Sequence, residues 1–145
     1  MSFNQDKYQE ATFEFREREV PVPELKDFFP EGDRLVWRVR NLTGLELFSV
    51  HEAVERNNRK VEAVEALFGG DRKERIEALQ MLACVHPDLT PTEYVRRLET
   101  FKCGSVDPKV NHDFAVKFAH NHGHLFSRIS GEILLLTVQG AEPGK

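Results

Sequence analysis

The sequence predicts a mainly α fold, a helical bundle of about five helices with a short N-terminal two-stranded β element. The longest helix the residues support runs from Thr43 to Gly69, opened by Thr43 and Glu46 in capping-box spacing and stopped by Gly69-Gly70. Four further segments carry helical start or stop signals. Two short upstream runs instead alternate apolar and polar residues, the period of a half-buried strand. All of this fits one domain over residues 1–145, with a strand-containing segment at 10–40 and a helical body at 43–140.

Taken in order, the first ten residues are polar and expected to be loose. Thr12 to Val20 sets Phe13 and Phe15 against Glu14 and Arg16, and Pro21 and Pro23 end it because proline cannot donate to a ladder. Pro23 to Phe29 suits a helical turn with proline at its first position, and Pro30 to Asp33 suits a turn. Leu35 to Arg40 reads as the second strand. Two strands alone are marginal, so this pair must pack on helices or join another sheet edge.

Within Thr43–Gly69, the residues Leu47, Val50, Val54, Asn57, Val61, Val64 and Phe68 recur at steps of three and four and form one stripe. The stripe is either a core face with a polar interruption at Asn57 or a self-association seam whose buried Asn fixes register. Asp71 to about Val85 reads as the next helix, ended by His86-Pro87-Asp88. Thr90-Pro91-Thr92-Glu93 starts another, which buries Tyr94, Val95, Leu98 and Phe101 and stops at Gly104. Arg96 and Arg97 lie off its apolar stripe and read as a solvated face. Asp107-Pro108 opens a segment with Phe114, Phe118 and His122 at steps of four, ending at Gly123. The last helix covers Leu125 to Val138, before Gly140.

That last helix is apolar on two sides. Leu125, Phe126, Ile129, Ile133 and Leu136 share one, while Leu134, Leu135 and Val138 project roughly opposite beside the small residues Ser127 and Gly131. Such a helix is either central in the fold or offers one side to a partner, so these five outer residues are the candidate partner-binding surface.

Composition narrows the function classes. Lys plus Arg number 20 against 24 for Asp plus Glu, and a net charge of −4 lacks the field that drives phosphate binding, so nucleic acid is not the expected partner. The two cysteines, Cys84 and Cys103, form no Cys-x-x-Cys pair and no disulfide framework. The first residues lack the apolar core of a signal peptide and no run approaches a membrane span, so a soluble intracellular protein is expected.

Chemistry-bearing motifs are scarce. His112, His120, His122 and His124 invite a metal reading, with Asp113 or Glu132 as further ligands. Helical geometry opposes it, because His120 and His122 diverge by about 200° and Gly123 interrupts the helix before His124. Cys84 and Cys103 sit on predicted helices, where buried inert thiols are commoner than nucleophiles. Phosphate-binding glycine loops and nucleophile elbows are absent. No catalytic residue, metal site or cofactor is expected.

Four stretches, in order, resemble the tail assembly chaperones of long, non-contractile phage tails. Phe13 to Phe29 looks like that family's N-terminal segment, and Val36 to Glu46 like its strand-into-helix junction. Tyr94 to Pro108 is similar to its "R-L-x-x-hydrophobic-x-x-G-S-V-x-P" hinge, and Ile133 to Lys145 to its "I-L-x-L-T-x-Q-G" ending. The chain departs at the histidine-rich His112 to His124, and at Val138, where glycine is expected. The resemblance implies a non-catalytic protein of the host cytoplasm, absent from the mature virion. Such a protein binds the tape measure protein, keeps it soluble and recruits major tail protein. It also implies a homo-oligomer and a longer form made by frameshifting near Pro143-Gly144-Lys145. The competing expectation is a structural virion part, such as a head–tail connector or tail completion protein.

Overall fold

The computed structural model describes residues 2–68 and 91–144. Within them the chain runs α1 (Gln5–Glu10), β1 (Phe13–Glu14), β2 (Glu17–Pro21), a 3-10 helix (Pro23–Phe28), β3 (Val36–Arg40) and α2 (Gly44–Phe68). It continues with α3 (Pro91–Gly104), β4 (Ser105–Asp107), α4 (His112–Asn121), α5 (Gly123–Gln139) and β5 (Glu142–Pro143). The fold is mainly α with a small antiparallel sheet. The helix expected from Asp71 to Val85, the glycine stop at Gly69-Gly70, the cap at Thr90 and Cys84 all lie outside the described residues.

The sheet departs from the expected two strands. Its order is β2-β3-β4, with Val20 opposite Trp37 and Arg38 opposite Asp107. β4 escaped the sequence reading because three residues between Gly104 and Pro108 are too short to show an alternation. The run from Thr12 to Val20 is also not one strand. Phe13–Glu14 pairs with Glu142–Pro143 near the other end of the chain, and only from Glu17 onward does the backbone pair with β3. Asn41 manages the change of partner: its N–H donates to Arg16 O at 3.0 Å and its Oδ1 accepts from Arg16 N at 2.7 Å.

The turn chemistry follows the residues closely. Pro21 closes β2, Pro23 stands at the start of the 3-10 helix, and Asp33 N donates to Pro30 O across a turn in which Gly32 takes φ +89°. The capping box at α2 forms in both directions, Glu46 N to Thr43 Oγ1 at 3.1 Å and Thr43 N to Glu46 Oε1 at 3.0 Å. α4 is capped by Asn111, whose Oδ1 accepts from Phe114 N, four residues after Asp107. Gly140, at φ +76°, ends α5 by donating to Leu136 O and Thr137 O.

The core is one aromatic-rich cluster. Trp37 stacks on Phe101 at 5.5 Å and meets Phe118 at 5.2 Å, while Phe126 meets Phe101 edge-on at 5.3 Å. Leu125, Phe126, Ile129, Ile133 and Leu136 are all buried, so the inner side of α5 lies where its periodicity put it. α5 packs against α3 and α4 on one flank and against β2 and β3 on the other, which makes it the central helix. Tyr94, Leu98 and Phe101 of α3 are buried as expected, and Val95 packs half-buried at the edge.

Gly104 permits the closest approach in this core. A methyl group there would stand 2.5 Å from Ile133 Cγ2 and 2.7 Å from Cδ1, and Ile133 is fully buried and stiff at χ1. Gly104→Ala is expected to destabilise the protein by about 1–3 kcal/mol through overpacking, measured by urea unfolding at unchanged m-value. A stability equal to that of the parent would show that α3 and α5 can separate there at no cost.

Candidate functional site

The outer side of α5 divides into a covered half and an open half. Ser127 and Gly131 are half-buried under α3, where Arg97 Nη1 donates to Ser127 O at 2.9 Å and Ser130 Oγ at 3.0 Å and passes 3.8 Å from the Cβ position of Gly131. Arg97 therefore is no solvated residue, as its spacing suggested, but the polar tie between two helices. It is oriented by Glu93 one turn earlier, 3.1 Å away. Arg96 does face solvent. Leu134 is half-buried, whereas Leu135 and Val138 are 56% and 87% exposed. Of the five predicted partner-binding residues, two are open apolar groups.

The α2 stripe divides too. Val50 and Val54 are buried within the chain, Val61 is half-buried, and Leu47 is 42% exposed at the helix start. The side chains of Val64 and Phe68 lie outside the described residues. Asn57 is half-buried, and its Nδ2 is shielded from solvent with no acceptor among the described residues, although its neighbour Asn58 accepts from Thr92 Oγ1 on α3 at 3.0 Å.

The histidines do not converge. His112 Nδ1 lies 3.2 Å from Lys102 Nζ, His122 stacks on Phe118 at 5.4 Å, and His120 and His124 face solvent. Among the described residues, no three of His, Cys, Asp and Glu stand close enough to hold a metal ion, and no helix is long and apolar enough to cross a membrane. Cys103 is a half-buried free thiol whose pKa burial pushes up, with Glu46 and Glu99 adding to the effect, so its thiolate is disfavoured.

Electrostatically the distinctive spot is the β3–α2 junction. Arg40 donates from both terminal nitrogens to the two oxygens of Glu46, each at 2.8 Å, and its guanidinium stands 4.2 Å above the Phe15 ring. The bond from Arg40 holds the Glu46 carboxyl below its usual range, with burial opposing and Thr43 assisting. The arrangement joins elements and holds no reactive group.

Two concavities accompany these faces. A cavity of about 900 Å³ opens between the 3-10 helix and α4, walled by Leu25, Phe28, Trp37, Phe114 and Phe118. A larger, shallower groove of about 1340 Å³ separates the N-terminal arm from the start of α2 and the end of α5. Tyr8, Phe13 and Phe15 line it, and Phe3 continues the aromatic row at 5.6 Å from Tyr8. The sequence reading passed over Phe3 and Tyr8 because they lie in a polar stretch without periodicity. It placed Phe13 and Phe15 on the inner side of a strand, yet they remain 41% and 44% exposed. No protein-family model, no curated protein and no solved structure matches the chain.

Because Glu46 has a depressed pKa when folded, its contribution to stability is fully present above the unfolded value of about 4.3 and is lost as pH falls through the lower folded value. Glu46→Gln should lower stability at neutral pH and flatten its decline below about pH 5, followed by chemical unfolding at stepped pH. An unchanged slope would assign the acid sensitivity to other carboxylates. Asn57→Leu removes a shielded donor that has no acceptor among the described residues, and should raise stability by about 1 kcal/mol in the same assay. A loss of stability would mean that the amide is bonded in solution.

Proposed function

We propose that the chain is a non-catalytic tail assembly chaperone of a long-tailed phage or prophage. It binds the tape measure protein, keeps it soluble and recruits major tail protein, in part through a longer frameshifted form. It acts in the host cytoplasm as a homo-oligomer and is absent from the finished virion. Its helices make a bundle of about five, to which the N-terminal strand segment is attached.

The proposal rests first on the ordered resemblance of the four stretches from Phe13 to Lys145. The single structural observation that supports it is the open apolar pair on the central helix, Leu135 and Val138. A long client helix aggregates while its apolar stripe is uncovered, and a chaperone of this kind must offer apolar surface held on a rigid support. α5 is such a support, anchored by five buried apolar side chains and by Ser130, and tied to the β3–α2 junction by Leu42 N donating to Thr137 Oγ1 at 2.9 Å.

Co-expression with the tape measure protein of the same phage or prophage should convert that protein from aggregate to soluble complex. Unchanged tape measure solubility would overturn the proposal. Leu135→Asp should weaken capture of the tape measure protein about tenfold or more while shifting folding stability by only about 1 kcal/mol, because the side chain is mostly in water already. Global unfolding of that variant would show that this side is core.

A further inference from the structure

We infer that the N-terminal groove is a self-association surface, and that its occupant is the aromatic arm of a second copy of this chain. The arm is poorly supported by its own chain. α1 has six residues and buries none of them, and a helix this short does not persist in water unaided. Its connection to the body is the two-residue pairing of β1 with β5, continued by Gly144 N donating to Thr12 O at 2.7 Å. Yet the arm carries an ordered aromatic row, Phe3 to Tyr8 at 5.6 Å and Tyr8 to Phe13 at 5.1 Å, with Phe3 73% and Tyr8 56% exposed.

The groove behind this row, at about 1340 Å³, exceeds the size of a small-molecule pocket and suits a polypeptide segment. Its body-side wall runs from Asn41 to Gly44 and includes Thr137 and Leu47, of which Leu47 is the exposed apolar side chain. Area decides in favour of a second copy. With a fully exposed aromatic contributing roughly 200 Å², Phe3, Tyr8, Phe13, Phe15 and Leu47 leave about 500 Å² of apolar surface uncovered per copy. Reciprocal docking across a two-fold axis covers that patch twice, about 1,000 Å² before any polar rim is counted, which is the size of a weak, reversible interface. The surface is self-complementary, since the arm supplies both the insert and one wall. The α2 stripe offers less, because Val50 and Val54 are already buried within the chain.

Charge sets the salt dependence. Glu14, Glu17 and Glu142 line the groove; Glu142 is met by Arg16 at 3.4 Å, Glu17 by Arg38 at 3.7 Å, and Asp6 and Glu10 lie along the arm. Two such patches repel weakly when they meet, so association driven by apolar burial tightens, or holds steady, as salt is raised.

The inference rests on the homo-oligomer of the proposed function and locates its surface. Sedimentation equilibrium of the purified untagged chain across the micromolar range tests it without any tape measure protein, so its failure is distinguishable from failure of the co-expression test of client binding. The expected result is a reversible dimer that Phe3→Ser/Tyr8→Ser weakens about a hundredfold or more. Neither side chain is buried, so the helical circular dichroism and melting of that variant should match the parent. Leu47→Asp, on the opposite wall, should weaken the dimer as well. A chain that stays monomeric throughout, an arm variant that dimerises like the parent, or a dimer that dissociates on adding salt would each overturn the inference.

Discussion

Trp37 is the contact on which the rest of the fold depends. A three-stranded sheet of five, five and three residues cannot stand alone in water, and the indole converts it into one wall of a helical core. Its ring meets Phe101 of α3 and Phe118 of α4, and its Nε1 donates to Ser105 Oγ at 3.1 Å, which in turn donates to Phe101 O at 2.7 Å. The polar end of the largest side chain is thereby satisfied inside the core, so it can be buried to 2% exposure without the cost of an unpaired donor. The same serine opens β4, so one short chain of hydrogen bonds fixes where α3 stops and the third strand starts.

A second constraint works at the junction after β3. Asn41 extends the ladder through its side chain, Arg40 clamps Glu46, and Glu46 closes the capping box with Thr43. The seven residues from Arg40 to Glu46 thus carry the chain from strand to helix with the side chains of Arg40, Asn41, Thr43 and Glu46 engaged. Thr137 and Ser130 do comparable work on α5, each bonding a carbonyl one turn back while its oxygen also accepts from outside the helix, from Leu42 N and Arg97 Nη1 respectively. Polar residues in the inner half of α5 are therefore connectors, which is why a helix of this hydrophobicity can be central without orphaned groups.

Several local signals that are complete within a few residues were legible in the sequence, although the Asn4 and Asn111 caps were not among them. The capping box, the proline boundaries, the glycine stop at Gly140 and the inner stripe of α5 all follow from spacing alone. Features that depend on partners far along the chain were not. β4 is too short to show a period, the pairing of Phe13 with Pro143 spans nearly the whole sequence, and Arg97 looked solvated because Ser127 and Ser130 lie thirty residues away in another periodic segment. Phe13 and Phe15 differ from their strand pattern for a related reason. Sequence patterning assumes that large aromatics are buried by their own chain, and these are not.

The two-sided character of α5 now has both of its explanations in one molecule. The helix is central, with its inner side filling the core between the sheet and α3, and the outer side is half claimed by Arg97. What the fold leaves uncovered is confined to the far end, Leu135 and Val138, while Thr137 on the same turn borders the N-terminal groove. Leu135, Val138 and the N-terminal groove thus lie near the last turns of α5, where that helix is tied through Thr137 to the β3–α2 junction, while Phe28 and Phe114 are open elsewhere. A segment rigidly fixed on its inner side can present apolar groups without local collapse, because the backbone that carries them is held by contacts that exposure does not weaken. Surfaces of this kind cost stability in isolation and gain their value in association, which makes the end of α5 and the arm beside it the part of the chain least explained by folding alone.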